Sequence, residues 1–427
     1  MSKPSPSLRS PLAIIFLTVF IDLVGFGIVL PLLPTYAKSF GASGLTVGCI
    51  MAAYSAMQFL FAPAWGALSD RIGRRPVLLV STAGASLSYL LFAFGSSMSG
   101  HAALWVILAS RIFAGICGAN LTVAQAYIAD ITPPEDSAKR MGLIGMAFGL
   151  GFIIGPMVAI GGQWMFGKTG PGWLAAGICA ANFAAAVVRL PESWKPGGSP
   201  PVQRTRLGQV RHVMESPALG FLVLVFFLAT FGFTCFESNL SILVTHNYQL
   251  SEHEALKVGA VLFSFAGIIG AFVQTGPVGK LVKRLGEPRL VAGSLLVFAV
   301  GLLPMPWLRG SVALTWGNFF SAHGGSWWLL LFFVALIAIG SGLTRPPLFA
   351  LLQKAAPASE RGLTFGVAQS GASLARIIGP VFAGWLYDRH PSWPYVTCAA
   401  IALVTGVVAW KRLVRSDAAA MPAPRPA

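Results

Sequence analysis

Charge is what this chain has least of. Charged residues make up 10% of its 427 positions, and only 14 are acidic. A soluble chain of this length carries roughly a quarter, so an ordinary water-facing globule is excluded. Histidine is scarce too: the six are scattered, and no nucleophile–base pair or His-rich cluster marks an enzyme. The five cysteines (Cys49, Cys117, Cys179, Cys235 and Cys398) lie in apolar stretches with no CxxC pair. That excludes a disulfide framework and a zinc site and leaves them as small buried hydrophobes. The formal charge is +16. Its basic residues are dispersed between apolar runs rather than gathered on one polar domain, so no nucleic-acid partner is expected.

What is present is apolar: 55% hydrophobic residues and a mean hydropathy of +0.73. About twelve spans of roughly 20 residues, each long enough to cross a bilayer, are expected. They fall at 12–33, 47–68, 77–97, 103–128, 141–165 and 173–190, then at 218–245, 258–278, 290–308, 327–352, 363–387 and 394–413. Lys3 and Arg9 precede the first run without a cleavage pattern, so that run reads as a span. The expected organisation is an N-terminal six-helix bundle at 1–190, a cytoplasmic linker at 191–216, a C-terminal six-helix bundle at 217–413 and a disordered cytoplasmic tail at 414–427. The linker, rich in Pro, Gly, Ser and Arg, is expected to hold one interfacial helix near 207–214. With the N-terminus inside, about 22 lysines and arginines fall on the cytoplasmic side and about five outside. Both termini are therefore expected to be cytoplasmic.

An internal repeat supports two halves. Gly66, Arg71 and Gly73 recur at the same spacing as Gly279, Arg284 and Gly286. Gly118, Pro133, Gly142, Gly155 and Pro156 recur 224 residues later as Gly342, Pro357, Gly366, Gly379 and Pro380. An ordered series on one offset points to duplicated halves in the same membrane sense. In the fifth span Gly151, Gly155 and Ala159 share a smooth face for close helix packing, and Pro156 removes a backbone donor and should bend the helix. The eleventh span repeats the device with Gly371, Ala375, Gly379 and Pro380.

Ionisable groups inside the spans are costly unless paired or wetted. Asp22 lies about 15 Å along the first span, and Arg111 about 12 Å in from the outer end of the fourth. Opposite charges at one depth are natural partners. Two readings stay open: a static ion pair, which stabilises little, or a proton-coupled site whose acid exchanges its proton as a nearby cation comes and goes. Glu237, in the outer half of the seventh span, either reaches outside water or joins such a path, pairing with Arg376 of the eleventh. Arg345 is expected to snorkel to the cytoplasmic surface. Phe26, Tyr54, Gln58, Asn120, Gln125, Phe233, Phe236 and Arg376 are candidates for an amphiphilic substrate pocket. Helix-on-helix packing explains the aromatics equally well.

One motif is declined. Gly162 to Thr169, GQWMFGKT, fits the phosphate-loop pattern, yet it closes an apolar span where a strand should precede it. No ATP, cofactor or metal is expected; the energy source would be a proton gradient.

The stretch at 66–76, GALSDRIGRRP, joins two spans in a tight turn. Gly66 and Gly73 allow close approach, Pro76 opens the next helix, and Arg71, Arg74 and Arg75 hold the turn on the cytoplasmic face. Asp70 is the one acid there, placed to pair with an arginine or face a helix N-terminus. This run resembles the loop between the second and third helices of the major facilitator superfamily. The Gly-Leu-Gly to Gly-Pro pattern of the fifth span resembles the signature of its twelve-helix drug:proton antiporters. Asp22 and Arg111 look like the first-helix aspartate and fourth-helix arginine of bacterial tetracycline and multidrug exporters. The sequence departs from the tetracycline exporters at Ser88, where they carry an aspartate.

The resemblance implies an all-α integral membrane protein of twelve transmembrane helices in two pseudo-symmetric six-helix bundles. It implies an exporter of a small hydrophobic or amphiphilic compound, drug-like and with tetracycline-like compounds among the candidates, in exchange for protons by alternating access. Asp22 and Arg111 would couple protons, with Glu237 added to them by its place in the seventh span, and Gly66, Asp70, Arg71, Gly73, Arg74 and Arg75 would form the latch, Asp70 with Arg71 and Arg75 stabilising the outward-open state. The implied partners are that substrate, protons and the bilayer of a bacterial inner membrane, with the chain acting as a monomer. A metabolite or sugar carrier of the same fold is the alternative within transport. A non-transporting receptor or channel is the alternative outside it.

Overall fold

The computed structural model describes residues 11–118, 120–132, 137–193, 206–310, 325–357 and 360–414. Among them there are helices and turns and no strand. The order is α1 (Pro11–Ser39), α2 (Gly44–Ile72), α3 (Arg74–Ser97), α4 (Gly100–Cys117), α5 (Asn120–Asp130), α6 (Ser137–Phe166) and α7 (Gly170–Arg189). Then come α8 (Arg206–Glu215), α9 (Pro217–Asn247), α10 (Glu252–Thr275), α11 (Pro277–Leu285), α12 (Glu287–Leu302), α13 (Gly325–Ala355), α14 (Arg361–Arg389) and α15 (Trp393–Ala409).

Among the described residues each expected span is helical over most of its length, the ninth leaving its helix at Leu302. Ten stretches among the described residues are long and apolar enough to cross a bilayer. One of them, Met146–Arg189, covers most of α6 and all of α7, and α14 is a further, more polar helix of 29 residues, so the described helices are consistent with twelve membrane spans. The fourth span is broken at Gly118 into α4 and α5, and the eighth continues past Gly276 into α11. The helix expected near 207–214 is α8. Of the expected tail, all but Val414 lies outside the described residues, as do Pro133 and residues 194–205 of the linker.

Contacts divide the chain into Met1–Pro201 with Leu250–Gly267, and Val202–Gln249 with Ile268–Ala427. Within the first unit α1 packs on α6, α3 on α4 and α3 on α7; within the second α9 packs on α14, α12 on α13 and α12 on α15. The same three pairings thus recur, as the repeat requires. The duplicated turns agree in backbone detail: Gly73 has φ +99° and Gly286 φ +78°, a region that favours glycine. Each unit has its own core. Ile15, Leu78, Val123 and Tyr127 pack together in the first, and Val225, Val291, Leu348 and Ala368 in the second.

Outward-facing apolar side chains such as Leu60, Phe94, Val188, Phe272 and Phe332 are exposed, which in this all-helical chain is a surface for lipid. Exposed Trp164, Trp173, Trp307, Trp328, Trp385 and Trp393 lie near helix ends, the placement of an interfacial aromatic belt.

The α1–α6 crossing is set by glycine. A Cβ on Gly155 would stand 2.6 Å from the Val24 carbonyl oxygen and 2.7 Å from the Gly27 backbone. One on Gly151 would stand 2.8 Å from the Leu23 carbonyl. Gly161, on the same helix, has nothing within 4 Å. Gly155→Val is therefore expected to destabilise the first unit by about 1–3 kcal/mol, read as a lower unfolding temperature in detergent, while Gly161→Ala leaves that temperature unchanged or raised.

Candidate functional site

Asp22 of α1 and Arg111 of α4 line one cavity with Phe26, Tyr54, Ser81, Ser88 and Tyr89. The cavity is about 20 Å³, room for about one water molecule and far below the roughly 300–1,000 Å³ that holds a drug-sized ligand. Sequence reasoning paired the two charges directly; the structure places them around the same space without an ion pair. The Asp22 carboxylate accepts from Asn120 Nδ2 at 3.2 Å. The Arg111 guanidinium instead lies 5.3 Å from the Tyr89 ring centre and 5.2 Å from that of Phe92. Cation–π contact of this kind is worth about 0.5–2 kcal/mol and competes with a carboxylate for the same group. Arg111 is 4% exposed, and its Nη2 has no hydrogen-bond partner. Tyr89 stands within electrostatic reach of both Asp22 and Arg111.

Of the other pocket candidates, Phe26 sets its ring 6.0 Å from Tyr54 and 6.1 Å from Phe152. Gln58 donates to the Tyr54 hydroxyl at 3.3 Å and to the Gly118 carbonyl at 3.2 Å, which secures the α4–α5 break. Ser88 donates to its own helix at Ala85. Gln125 is exposed and does not line the cavity.

The charged turn between α2 and α3 is a network centred on Arg74, not on Arg71 or Arg75. Arg74 is 9% exposed; its Nη1 donates to Asp70 and, at 2.7 Å, to Ser69 Oγ, and its Nε to Asp130 Oδ2 at 3.0 Å. Glu192, just past α7, accepts the backbone N–H of Arg74 at 2.9 Å and of Arg75 at 3.1 Å, capping the start of α3. A Cβ on Gly73 would strike that carboxylate, so glycine is required there by space as well as by φ. Arg75 reaches the Val187 carbonyl at 2.7 Å, and Arg71 is exposed. Arg74 fills this centre because it follows Asp70 by four residues and points inward, whereas Arg71 and Arg75 sit on the outer side.

In the second unit Glu237 of α9 is 6% exposed, and its Oε1 has no hydrogen-bond partner. It lies within electrostatic reach of Arg376 of α14 and Arg345 of α13. Arg345 does not snorkel: its guanidinium sits 5.7 Å from the Phe233 ring centre, within reach of Glu237 and Arg376. Phe233 and Phe236 have ring centres 6.2 Å apart.

The phosphate-loop pattern is helical. Gly162 lies in α6, and a single 3₁₀ turn, Gly167–Thr169, leads into α7. Lys168 there pairs with Glu252 at 2.8 Å, donates to Ser39 Oγ at 3.0 Å and lies 4.3 Å from the Phe40 ring centre.

Sequence reasoning missed Tyr89, Phe92, Asp130 and Glu192. The last two carried a signal, since each is an acid at the end of a span on the side rich in arginine. The two aromatics carried none, because a ring in a span reads as packing.

Two all-helical units that repeat the same helix pairings, with many apolar helices and charges held inside each unit, define a multi-pass membrane protein. The family model of the Major Facilitator Superfamily matches residues 15–326 and 310–427, and the chain belongs to that superfamily. Its members are transporters, not enzymes. The tetracycline resistance protein, class C, of Escherichia coli is 32% identical over 405 residues, covering 93% of this chain and 95% of that protein. Multidrug resistance protein 2 of Bacillus subtilis is 27% identical over 438 residues, covering 99% and 100%. The crystal structure of the human organic anion transporter MFSD10 superposes with a TM-score of 0.64 at 25% identity, over 95% of this chain and 100% of that one.

Arg74→Gln leaves Asp70 and Asp130 facing each other without their shared cation and is expected to destabilise the protein by about 2 kcal/mol. Arg71→Gln, on an exposed side chain, is expected to change the unfolding temperature in detergent by no more than the scatter between preparations.

Proposed function

We propose that this chain exports a small hydrophobic or amphiphilic organic compound in exchange for protons by alternating access. The observation that carries the reading is the Asp22 cavity. It holds an acid and a cation that do not neutralise each other, in a space that fits about one water and no substrate. An acid beside a water-sized hole suits proton loading and release, and Arg111, held on aromatic rings, stays free to move toward Asp22 once the proton leaves. Glu237 would be a second coupling acid. The Asp70–Arg74–Asp130 network with Glu192 would be the latch that makes or breaks as the unit changes state.

The resistance proteins of Escherichia coli and Bacillus subtilis support the drug-like substrate. On this reading the chain works as a monomer in a bacterial inner membrane with both termini cytoplasmic. The positive-inside count supports that orientation. The likeness to an organic anion transporter favours one second reading, a carrier of anionic organic metabolites by the same mechanism.

The test is accumulation in proteoliposomes under an imposed pH gradient, with tetracycline, norfloxacin, chloramphenicol, tetraphenylphosphonium and glucose as probes. Gradient-driven movement of at least one drug-like probe, abolished by a protonophore and reduced at least about tenfold in Asp22→Asn, is the expected result. Movement of glucose alone would replace the reading with a sugar carrier. Full gradient-driven movement in Asp22→Asn would remove Asp22 from the coupling.

A further inference from the structure

The break that divides the fourth span into α4 and α5 is held open by side chains. At Gly118 (φ −72°, ψ 49°) the chain leaves the helix. Three successive carbonyl groups there each accept from a neighbouring helix: Ile116 from Trp65 Nε1 at 2.5 Å, Cys117 from the Ser81 hydroxyl, and Gly118 from Gln58 Nε2 at 3.2 Å. Backbone groups in a membrane interior need such partners wherever a helix stops. The second unit lacks this device. On the 224-residue offset of the repeat Gly118 corresponds to Gly342, which lies inside α13, continuous from Gly325 to Ala355. Asn120 corresponds to Thr344, whose hydroxyl donates to its own helix at the Gly340 carbonyl, 2.7 Å away. The helix pairings can therefore be built without the break and without Asn120.

The two ends of α5 touch the two charged sites of the first unit. Its first residue, Asn120, is 2% exposed and donates to the Asp22 carboxylate at 3.2 Å. Its last, Asp130, accepts from Arg74 Nε at 3.0 Å beside the turn between α2 and α3. Ser193 donates to the same Asp130 oxygen at 3.1 Å, which ties the neighbouring Glu192 to that pair. The helix between these ends has 11 residues, about 15 Å of stiff backbone. Val123, Ala124, Tyr127 and Ile128 bury one face of it in the core of the first unit.

We propose that α5 is a connecting rod: Asn120 is a positioning residue that senses the charge of Asp22, and α5 carries its displacement to the Asp130–Arg74 pair. The drive is the difference between two hydrogen bonds. An amide bonded to an ionised carboxylate is held about twice as strongly as one bonded to a neutral acid, so a proton on Asp22 loosens its grip on Asn120. The break lets α5 respond while α4, which bears Arg111, stays in place. The inference rests on the reading that Asp22 exchanges a proton and adds where that exchange is felt.

The test is hydrogen–deuterium exchange of the full chain in detergent at one pH. It is read on α5 and on the start of α3, where Glu192 caps the Arg74 and Arg75 N–H groups. Asp22→Asn stands for the protonated acid and is expected to raise exchange at the start of α3 about fivefold. Asn120→Ala is expected to raise it by a similar factor, and Asp22→Asn added to Asn120→Ala to raise it no further. Asn182→Ala removes another buried asparagine beside α1, one that accepts from Thr18 at 3.5 Å. It is expected to keep the full response to Asp22→Asn, so general loosening of the unit does not imitate the result.

An unchanged α3 start in Asp22→Asn, a response that persists in the Asn120→Ala background, or its loss in Asn182→Ala as well would overturn the inference. Proton-driven transport that is lost in Asp22→Asn without any change at α3 leaves the exporter reading intact. The full exchange pattern in a protein that moves no probe under a pH gradient sinks the exporter reading alone.

Discussion

A bilayer interior offers no water to complete a hydrogen bond, and the arrangement of this chain follows from that constraint. Backbone groups must be satisfied within their own segments, which selects helices long enough to cross and leaves turns at their ends. The cost of exposure also falls on side chains, so each ionisable group that remains inside a span has a reason to be there. Asp22, Arg111, Glu237, Arg345 and Arg376 are those groups. Each meets the constraint differently: Asp22 by an amide and a water-sized hole, Arg111 by two rings, and the trio of the second unit by opposite charge and an aromatic face.

Lipid tails are as apolar as leucine, so burying leucine does not by itself hold two membrane helices together. Close approach does. At the α1–α6 crossing the backbones meet through Gly27, Gly151 and Gly155, and the residue beside that crossing is Asp22. Packing and chemistry are therefore coupled. Any change in the α1–α6 angle moves Asp22 relative to Asn120 on α5 and Arg111 on α4. In the second unit Gly379 of α14 packs near Thr234 and Phe231 of α9, three residues from Arg376, so the same crossing there moves one of the arginines.

The fold was legible because lipid writes a coarse code: apolar length gives the spans, glycine and proline spacing gives the repeat, and both appear in the structure. The Gly73 and Gly286 turns were readable for the same reason, since one residue type alone is at ease at that φ. The site was legible in its charges but not in its pairings. Asp22 and Arg111 share a cavity as their depths required, yet rotation about each helix and the choice between an acid and a ring are not encoded in depth. Arg74 was hidden among three arginines whose inward or outward facing depends on how α3 begins. Glu192 was marked as an acid at the end of a span, but its role was not, because its partners are the backbone N–H groups of Arg74 and Arg75.

The central claim is that Asp22 exchanges a proton when substrate binds. Calorimetric titration of the detergent-purified chain with the drug-like compound that moves in vesicles tests it, repeated in buffers of different ionisation enthalpy at one pH. The slope of observed heat against buffer enthalpy counts protons released per compound bound. The account predicts about one proton in the wild type and none in Asp22→Asn, with binding retained in both. A slope of zero in the wild type, or an unchanged slope in Asp22→Asn, would contradict it.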